Sequence, residues 1–265
     1  MRFAAAERAA ERTSSMFKGF YNLTSGMITQ GRNLDVISNN MTNVATAGFK
    51  ADRFTFSTFE EVMWQRVGNA DRKYSELGNQ SWITAPSDLY TDYTQGAIEE
   101  TGQPLDFAIE GDGFFALQTN NGRIYTRNGN FSLDGEGYLW LSGYGRVLDA
   151  DGQTIHLVTD RIQADNFGGM YTESGGFLGR IGVFTFPDNG QLEKDERGFF
   201  TAAGNGQADN TALVHNRWVE RANVDLVQQM TSMIAAERAY QSAAEITKIY
   251  DDMMTKATTD VGRLG

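Results

Sequence analysis

The 265 residues include no cysteine, which excludes disulfide staples and thiolate metal sites. The only imidazoles are His156 and His215, and neither sits in metal-ligand spacing, so no metal or cofactor is expected. Proline is scarce, with 3 residues against 29 glycines, a balance that favours tight β turns over Pro-rich linkers. No apolar run reaches the roughly 18 residues of a membrane span, so no direct membrane insertion is expected. Cations are in the minority, with Lys+Arg 23 against Asp+Glu 34 and a net charge of −11. Nucleic acid is therefore not an expected partner, because phosphate binding needs clustered Lys and Arg. Residues 1–15 (MRFAAAERAAERTSS) alternate charges and lack an apolar h-region, so they do not form a secretory signal peptide. They read as a short helix or as a non-native or disordered extension ahead of a start at Met16, and the second reading is adopted.

What is present is concentrated at the two ends. Phe20, Met27, Leu34 and Met41 recur seven apart, interleaved with Leu23, Gln30, Ile37 and Val44. Only Gln30 breaks this narrow a/d stripe, which predicts a helix with one apolar seam. The helix should fade in the Asn/Thr-rich run 38–46, whose short side chains compete for backbone hydrogen bonds. Gly48 is a plausible stop, with Phe49 as a buried anchor beside it. Near the other end, Asn223 is a candidate N-cap and Asp225 a first-turn acid. Leu226, Met230, Met233, Ile234, Tyr240 and Ala244 then make one helical face, which Ile246, Tyr250, Met253 and Ala257 continue. The two stripes are natural partners for each other. Ile28, Val36, Val227 and Ile249 remain over and need further cover.

The middle reads as β. Phe54, Phe56, Phe59, Trp64, Tyr74, Trp82, Tyr90 and Tyr93 punctuate an extended connecting segment over 51–96. From 97 to 220 turn signals recur: Asn121-Gly122, Asn128-Gly129, Asp134-Gly135, Gly143 to Gly145, Asp151-Gly152 and Asn189-Gly190. Short apolar or aromatic runs such as Gly113–Leu117, Ile124–Thr126 and Val183–Phe186 lie between them, predicting an antiparallel all-β domain. The expected fold is thus mixed, with terminal helices packed as a coiled-coil-like stem around a central antiparallel β domain.

Catalytic-looking strings do not survive inspection. Ser15–Lys18 fits S-x-x-K without its companion motifs. Asp149-Ala150-Asp151-Gly152 has its glycine two places early for a calcium loop and no closing Glu at 160, so a hairpin turn explains it better. Gly111-Asp112-Gly113 lacks the third glycine of a dinucleotide site. Asp106 with Glu110 or Asp112 is a conceivable glycosidase pair, but surface charge is the simpler account.

Met16–Met27, followed by Asp35-Val36-Ile37-Ser38-Asn39-Asn40-Met41-Thr42-Asn43-Val44-Ala45-Thr46-Ala47-Gly48-Phe49-Lys50, resembles the N-terminal signature of bacterial flagellar rod and hook proteins. Asn223–Leu226, Met230–Ile234 and Glu237–Gln241 are similar to the matching C-terminal signature. Gly111–Phe115 and Tyr125–Phe131 resemble segments shared by rod members, so the likeness spans residue 16 to about residue 257. The resemblance implies a non-enzymatic axial subunit whose terminal helices build the inner tube of a hollow, torque-transmitting assembly, with the β domain outside. It implies a helical homo-oligomer, contacts with neighbouring rod and hook subunits, and passage through the flagellar type III export apparatus without a cleaved signal peptide. Its location would be the basal body, as a periplasmic or wall-spanning rod. The long 51–96 segment is as in distal rod members; a proximal rod or hook-type subunit is the alternative.

On this reading residues 1–15 are an extension, 16–50 the N-terminal helix and signature, 51–96 the connecting segment, 97–220 the β domain and 221–265 the C-terminal helix. The expected N-terminal assembly residues are Phe20, Leu23, Met27, Leu34, Ile37, Asn39, Asn40, Met41, Asn43, Val44, Gly48 and Phe49. At the C-terminus they are Asn223, Leu226, Met230, Met233, Ile234, Tyr240, Ile246 and Met253. For Asn39, Asn40 and Asn43 two roles stay open: local caps at a solvated helix end, or hydrogen bonds across subunit contacts. Two other classes also remain open. A secreted hydrolase of cell-wall polymer would need paired carboxylates across a cleft. A β-rich adhesin would fold fully alone.

Overall fold

The computed structural model describes residues 2–67, 74–157, 159–202 and 204–262, with side chains for 20–55, 89–157, 159–188, 190–202, 204–256, 258 and 259. Two helices bracket a β-rich middle. Helix α1 is Arg2–Thr42, 41 residues and about 60 Å of rod, and helix α2 is Leu226–Gly262, 37 residues. The seven-residue stripe lies wholly on α1 up to Met41. The helix ends where Asn43 and Thr46 bond locally, with Asn43 Nδ2 donating to Asn39 O at 3.0 Å and Thr46 Oγ1 to Asn43 Oδ1 at 3.2 Å.

The chain divides into two compact units. One takes the chain up to Ser38, Asp52–Tyr90, and everything from Val227 onward; the other takes Asn39–Ala51 and Thr91–Leu226. In the first, the strands Asp52–Val67 and Tyr74–Thr91 pair as a two-stranded sheet within the segment read as extended. The side chains of Phe56, Phe59, Trp64, Tyr74 and Trp82 lie outside the described residues. In the same unit Thr247 Oγ1, bonded back to Ala243 O at 2.8 Å, also lies 3.6 Å from Met27 Sδ. Along the stripes Ile37 is buried (5% exposed), whereas Phe20, Leu226, Met230, Ile234, Ile246 and Met253 are exposed. Of the left-over apolar residues, Ile28 is 53%, Val227 74% and Ile249 57% exposed.

The second unit is an antiparallel β domain. Its main sheet runs in the order Leu192–Lys194, Phe200–Ala202, Gly122–Thr126, Phe114–Thr119, Gly145–Val147, Leu139–Leu141, Ser132–Leu133, with Val183–Thr185 also on Phe114–Thr119. Register sets Leu117 against Ile124 and Val183 against Phe115. Two apolar clusters fill it: one from Leu105 to Val214 around Phe107, Phe115, Leu117 and Met170, and an aromatic one of Phe114, Tyr125, Phe184 and Phe200.

The hairpins reuse one turn. In Asp134–Tyr138, Asp149–Gln153, Asp165–Gly169 and Asp195–Phe199 the first carboxylate accepts the N–H groups two and four residues on, at 2.7–3.0 Å. The fourth residue is a glycine at positive φ (83°, 79°, 76° and 86°), the left-handed residue of a three-residue hairpin loop. Asp149–Gln153 is the string that superficially fits a calcium loop, and its Oδ1 is engaged by two backbone N–H groups.

Candidate functional site

The N-terminal and C-terminal signatures meet on the β unit. Glu220, at the end of the strand Trp218–Glu220, is 1% exposed and takes a cation on each oxygen. Lys50 Nζ lies 2.6 Å from Oε1, and Arg127 Nη1 lies 3.1 Å from Oε2. Backbone groups meet three further valences: Gly96 N donates to Oε1 at 2.9 Å, Lys50 Nζ to Thr94 O at 2.9 Å, and Arg127 Nη2 to Gly111 O at 2.6 Å, while Arg127 Nε is buried with no hydrogen-bond partner. Burial lowers the Lys50 pKa below its ordinary 10.5, and the Glu220 carboxylate pulls only partly the other way.

The backbones interlock around this triad. Gly48 N donates to Glu220 O at 2.7 Å, and Asn223 N to Phe49 O at 3.3 Å. Gly48 has φ +67°, and a Cβ there would stand 2.2 Å from the Arg127 carbonyl carbon, so only glycine allows this approach. Phe49 is buried, with Lys194 Nζ 4.0 Å from its ring centroid while also donating to Lys50 O at 2.6 Å. Asn223 accepts from Ala51 N at 2.6 Å through Oδ1 and donates through Nδ2 to Asp92 O and Thr94 O at 2.8 and 3.0 Å. Expected as the N-cap of the second helix, Asn223 instead stitches three chain segments; α2 begins at Leu226, which puts Asp225 at the capping position. An Asn offers both donors and an acceptor, which suits a junction better than a one-bond cap.

The expected assembly residues therefore separate into groups. Asn39, Asn40, Asn43, Gly48, Phe49 and Asn223 belong to the β unit. Asn39 Nδ2 donates to Glu196 O at 3.2 Å, and Asn40 is buried. Met41 and Val44 in the same segment are half-buried. Phe20, Leu23, Met27, Leu34 and Ile37 lie along α1, and Met230, Met233, Ile234, Tyr240, Ile246 and Met253 along α2, with Leu226 opening that helix. Lys50, Arg127 and Glu220 are absent from the expected set. Lys50 and Arg127 stand inside signature strings, whereas a lone Glu220 carries no signal when its partners are 170 and 93 residues away.

A cavity of about 220 Å³ adjoins the triad, lined by Lys50, Tyr93, Asp112, Phe114, Arg127 and Phe186 among others. Of the conceivable glycosidase carboxylates, Asp106 is buried and accepts the Thr101 hydroxyl, and Glu110 pairs with His215 at 2.7 Å. Burial pushes the Asp106 pKa up, and the Thr101 bond draws it partly back. No helix among the described residues is long and apolar enough to cross a membrane.

Known proteins match on the same segments. Residues 20–50 match the family described as "Flagella basal body rod protein", 108–201 the "Flagellar hook protein FlgE/F/G D1 domain" and 216–260 the "Flagellar basal body rod FlgEFG protein C-terminal". The chain is 32% identical to the flagellar basal-body rod protein FlgG of Bacillus subtilis (strain 168), over 90% of this chain and 97% of that protein. It is 30% identical to the flagellar basal-body rod protein FlgF of Caulobacter vibrioides, over 94% and 99%. With the flagellar hook-basal body complex protein FlhO of Bacillus subtilis (strain 168) it shares 28% identity, over 94% and 100%. The first and last family matches end or begin so as to contain Lys50 and Glu220.

Proposed function

The chain belongs to the bacterial flagellar basal-body rod protein family, and on that premise we propose that it is a rod subunit of the distal type that self-assembles through its terminal helices. It is a structural subunit of the basal body, not an enzyme, and it assembles with other flagellar rod and hook subunits. In our reading the helical parts of 16–50 and 221–265 pack as a coiled-coil-like stem and build a hollow shaft, with 97–220 outside it. Many copies of modest contacts then sum to a stiffness that transmits torque. The subunit reaches its place through the type III export apparatus, and the rod lies in the periplasm or spans the wall. The long interval between Lys50 and the β domain favours the distal over the proximal type.

One observation carries this proposal. The β unit closes its own apolar clusters, while α2 keeps an apolar row from Leu226 to Met253 exposed in the single chain and α1 keeps Phe20, Tyr21 and Ile28 exposed. Apolar side chains left exposed on both helices call for partners beyond the chain itself. The test is to purify basal bodies, dissociate them stepwise and locate this chain by mass spectrometry. It should co-purify with the rod in several copies per particle. Absence from basal bodies, or a single copy per particle, would overturn self-assembly.

A further inference from the structure

Neither chain arm contributes a side chain to the two apolar clusters that fill the β unit, although Phe49 and Ala51 are buried beside them. Among the described residues, no member of either apolar cluster comes from 39–51 or 217–225. The arms are tied to that interior by polar contacts, Arg127 to Glu220, Lys194 to Lys50 O and Asn39 to Glu196 O, and by two rings, Phe49 under Lys194 and Tyr93 of segment 92–100 against Phe114 and Phe200. To one another they are tied more densely. Lys50 meets Glu220, Gly48 N meets Glu220 O, Asn223 holds both Phe49 O and Ala51 N, and the segment 92–96 is bonded to both arms through Thr94, Asp92 and Gly96. The strand Trp218–Glu220 pairs with Ile98–Glu100, which extends the same group.

Glu220 on one arm answers to Lys50 on the other and to Arg127 of the core, so removing its charge leaves Lys50 uncompensated in a dry site and loosens the arms from each other and from the core together. We propose that residues 39–51, 92–100 and 217–225 form a clasp centred on Glu220. The clasp docks on the β core and leaves it as one unit, while the core stays folded. The last turn of α1 lies in the first of these segments and the start of α2 directly follows the last, and neither arm takes its place on the β core without the other.

Hydrogen exchange on the full-length chain tests this. In the wild type, amides in 46–51, 92–100 and 217–224 should share one exchange rate, faster than that of the core strands Phe107–Glu110 and Phe114–Thr119. In Glu220→Gln, which keeps the shape and removes the charge, all three segments should speed up together by about tenfold or more, with the core strands unchanged. In Lys50→Met, where Arg127 still holds Glu220, the three should again move together, but less. Wild-type segments exchanging at the core rate, or each at its own rate, would contradict the clasp. So would a variant that frees one segment alone, or one that also releases the core strands. If Glu220→Gln yields no soluble chain, Lys50→Met decides by the same criteria.

Discussion

Lys50 and Glu220 illustrate why a buried ion pair is a device of position more than of stability. Taking both charges out of water costs several kcal/mol per ion in general, and their attraction repays this only when every remaining valence is met. Here Thr94 O, Gly96 N and Arg127 meet part of them, Arg127 Nε is left without a partner, and burial outweighs attraction for Lys50, whose pKa sits below 10.5. The sign follows. Well below the folded pKa, Lys50 is charged in both states and penalises the folded one by a constant amount. As pH rises through the folded pKa towards 10.5, the folded chain gives up this proton first and the penalty shrinks. Denaturant unfolding from about pH 8 upward should therefore show wild type gaining stability relative to Lys50→Met as 10.5 is approached. A flat difference, or wild type losing ground, would mean that the Glu220 and Asp92 charges outweigh burial. Sequence reading reached the string that ends in Lys50 and the one that contains Arg127, but not Glu220. A charged residue shows its burial only once the fold brings its distant partners to it.

At the scale of elements, the two helices and the antiparallel β middle were legible because each repeats a period, seven for α1 and two with turns for the strands. The turn chemistry was legible only in part. Attention to Asp-Gly and Asn-Gly pairs located the turns at 134–138 and 149–153 but not those at 165–169 and 195–199, because the working unit is an aspartate three residues ahead of a left-handed glycine. In Asp134-Gly135 it is Gly137, not Gly135, that takes positive φ. At that turn partial burial pushes the Asp134 carboxyl up, but the Tyr138 and Glu136 N–H groups and the Arg146 guanidinium overcome it and hold the pKa below the usual range. Asn223 was misplaced for a related reason: a good capping residue before a helical face is also a good bridge, and pattern alone does not separate the two. Helix α1 has its own weakness. Gly26 and Gly31 lie mid-helix with nothing within 4 Å of where a Cβ would be. Each costs the helix about 1 kcal/mol relative to alanine. Gly26→Ala with Gly31→Ala should raise the helical circular dichroism of the isolated chain and delay its loss on heating. Unchanged or lower helicity would show that these glycines answer to a constraint in the single chain beyond helix propensity.

For the whole molecule, the division of labour is between a β unit that satisfies itself and two helices that do not. Leu34 and Met233 are half-buried in the single chain, central to stripes whose flanks, Ile28 and Ile234, face solvent. Burying such a side chain contributes about 1.5–3 kcal/mol, and forcing a carboxylate into the seam costs several more unless it is protonated or paired. In a lattice of identical subunits that penalty recurs at every copy. The most direct measurement is to place Leu34→Asp or Met233→Asp in the cell and score rod incorporation and motility beside the thermal transition of the purified β unit's strands within the full chain. The account predicts loss of incorporation and motility in both variants with the β transition unchanged. A motile cell with either variant in its rod would contradict the helical seam, and loss of the β transition would show that the helices belong to the domain's own core.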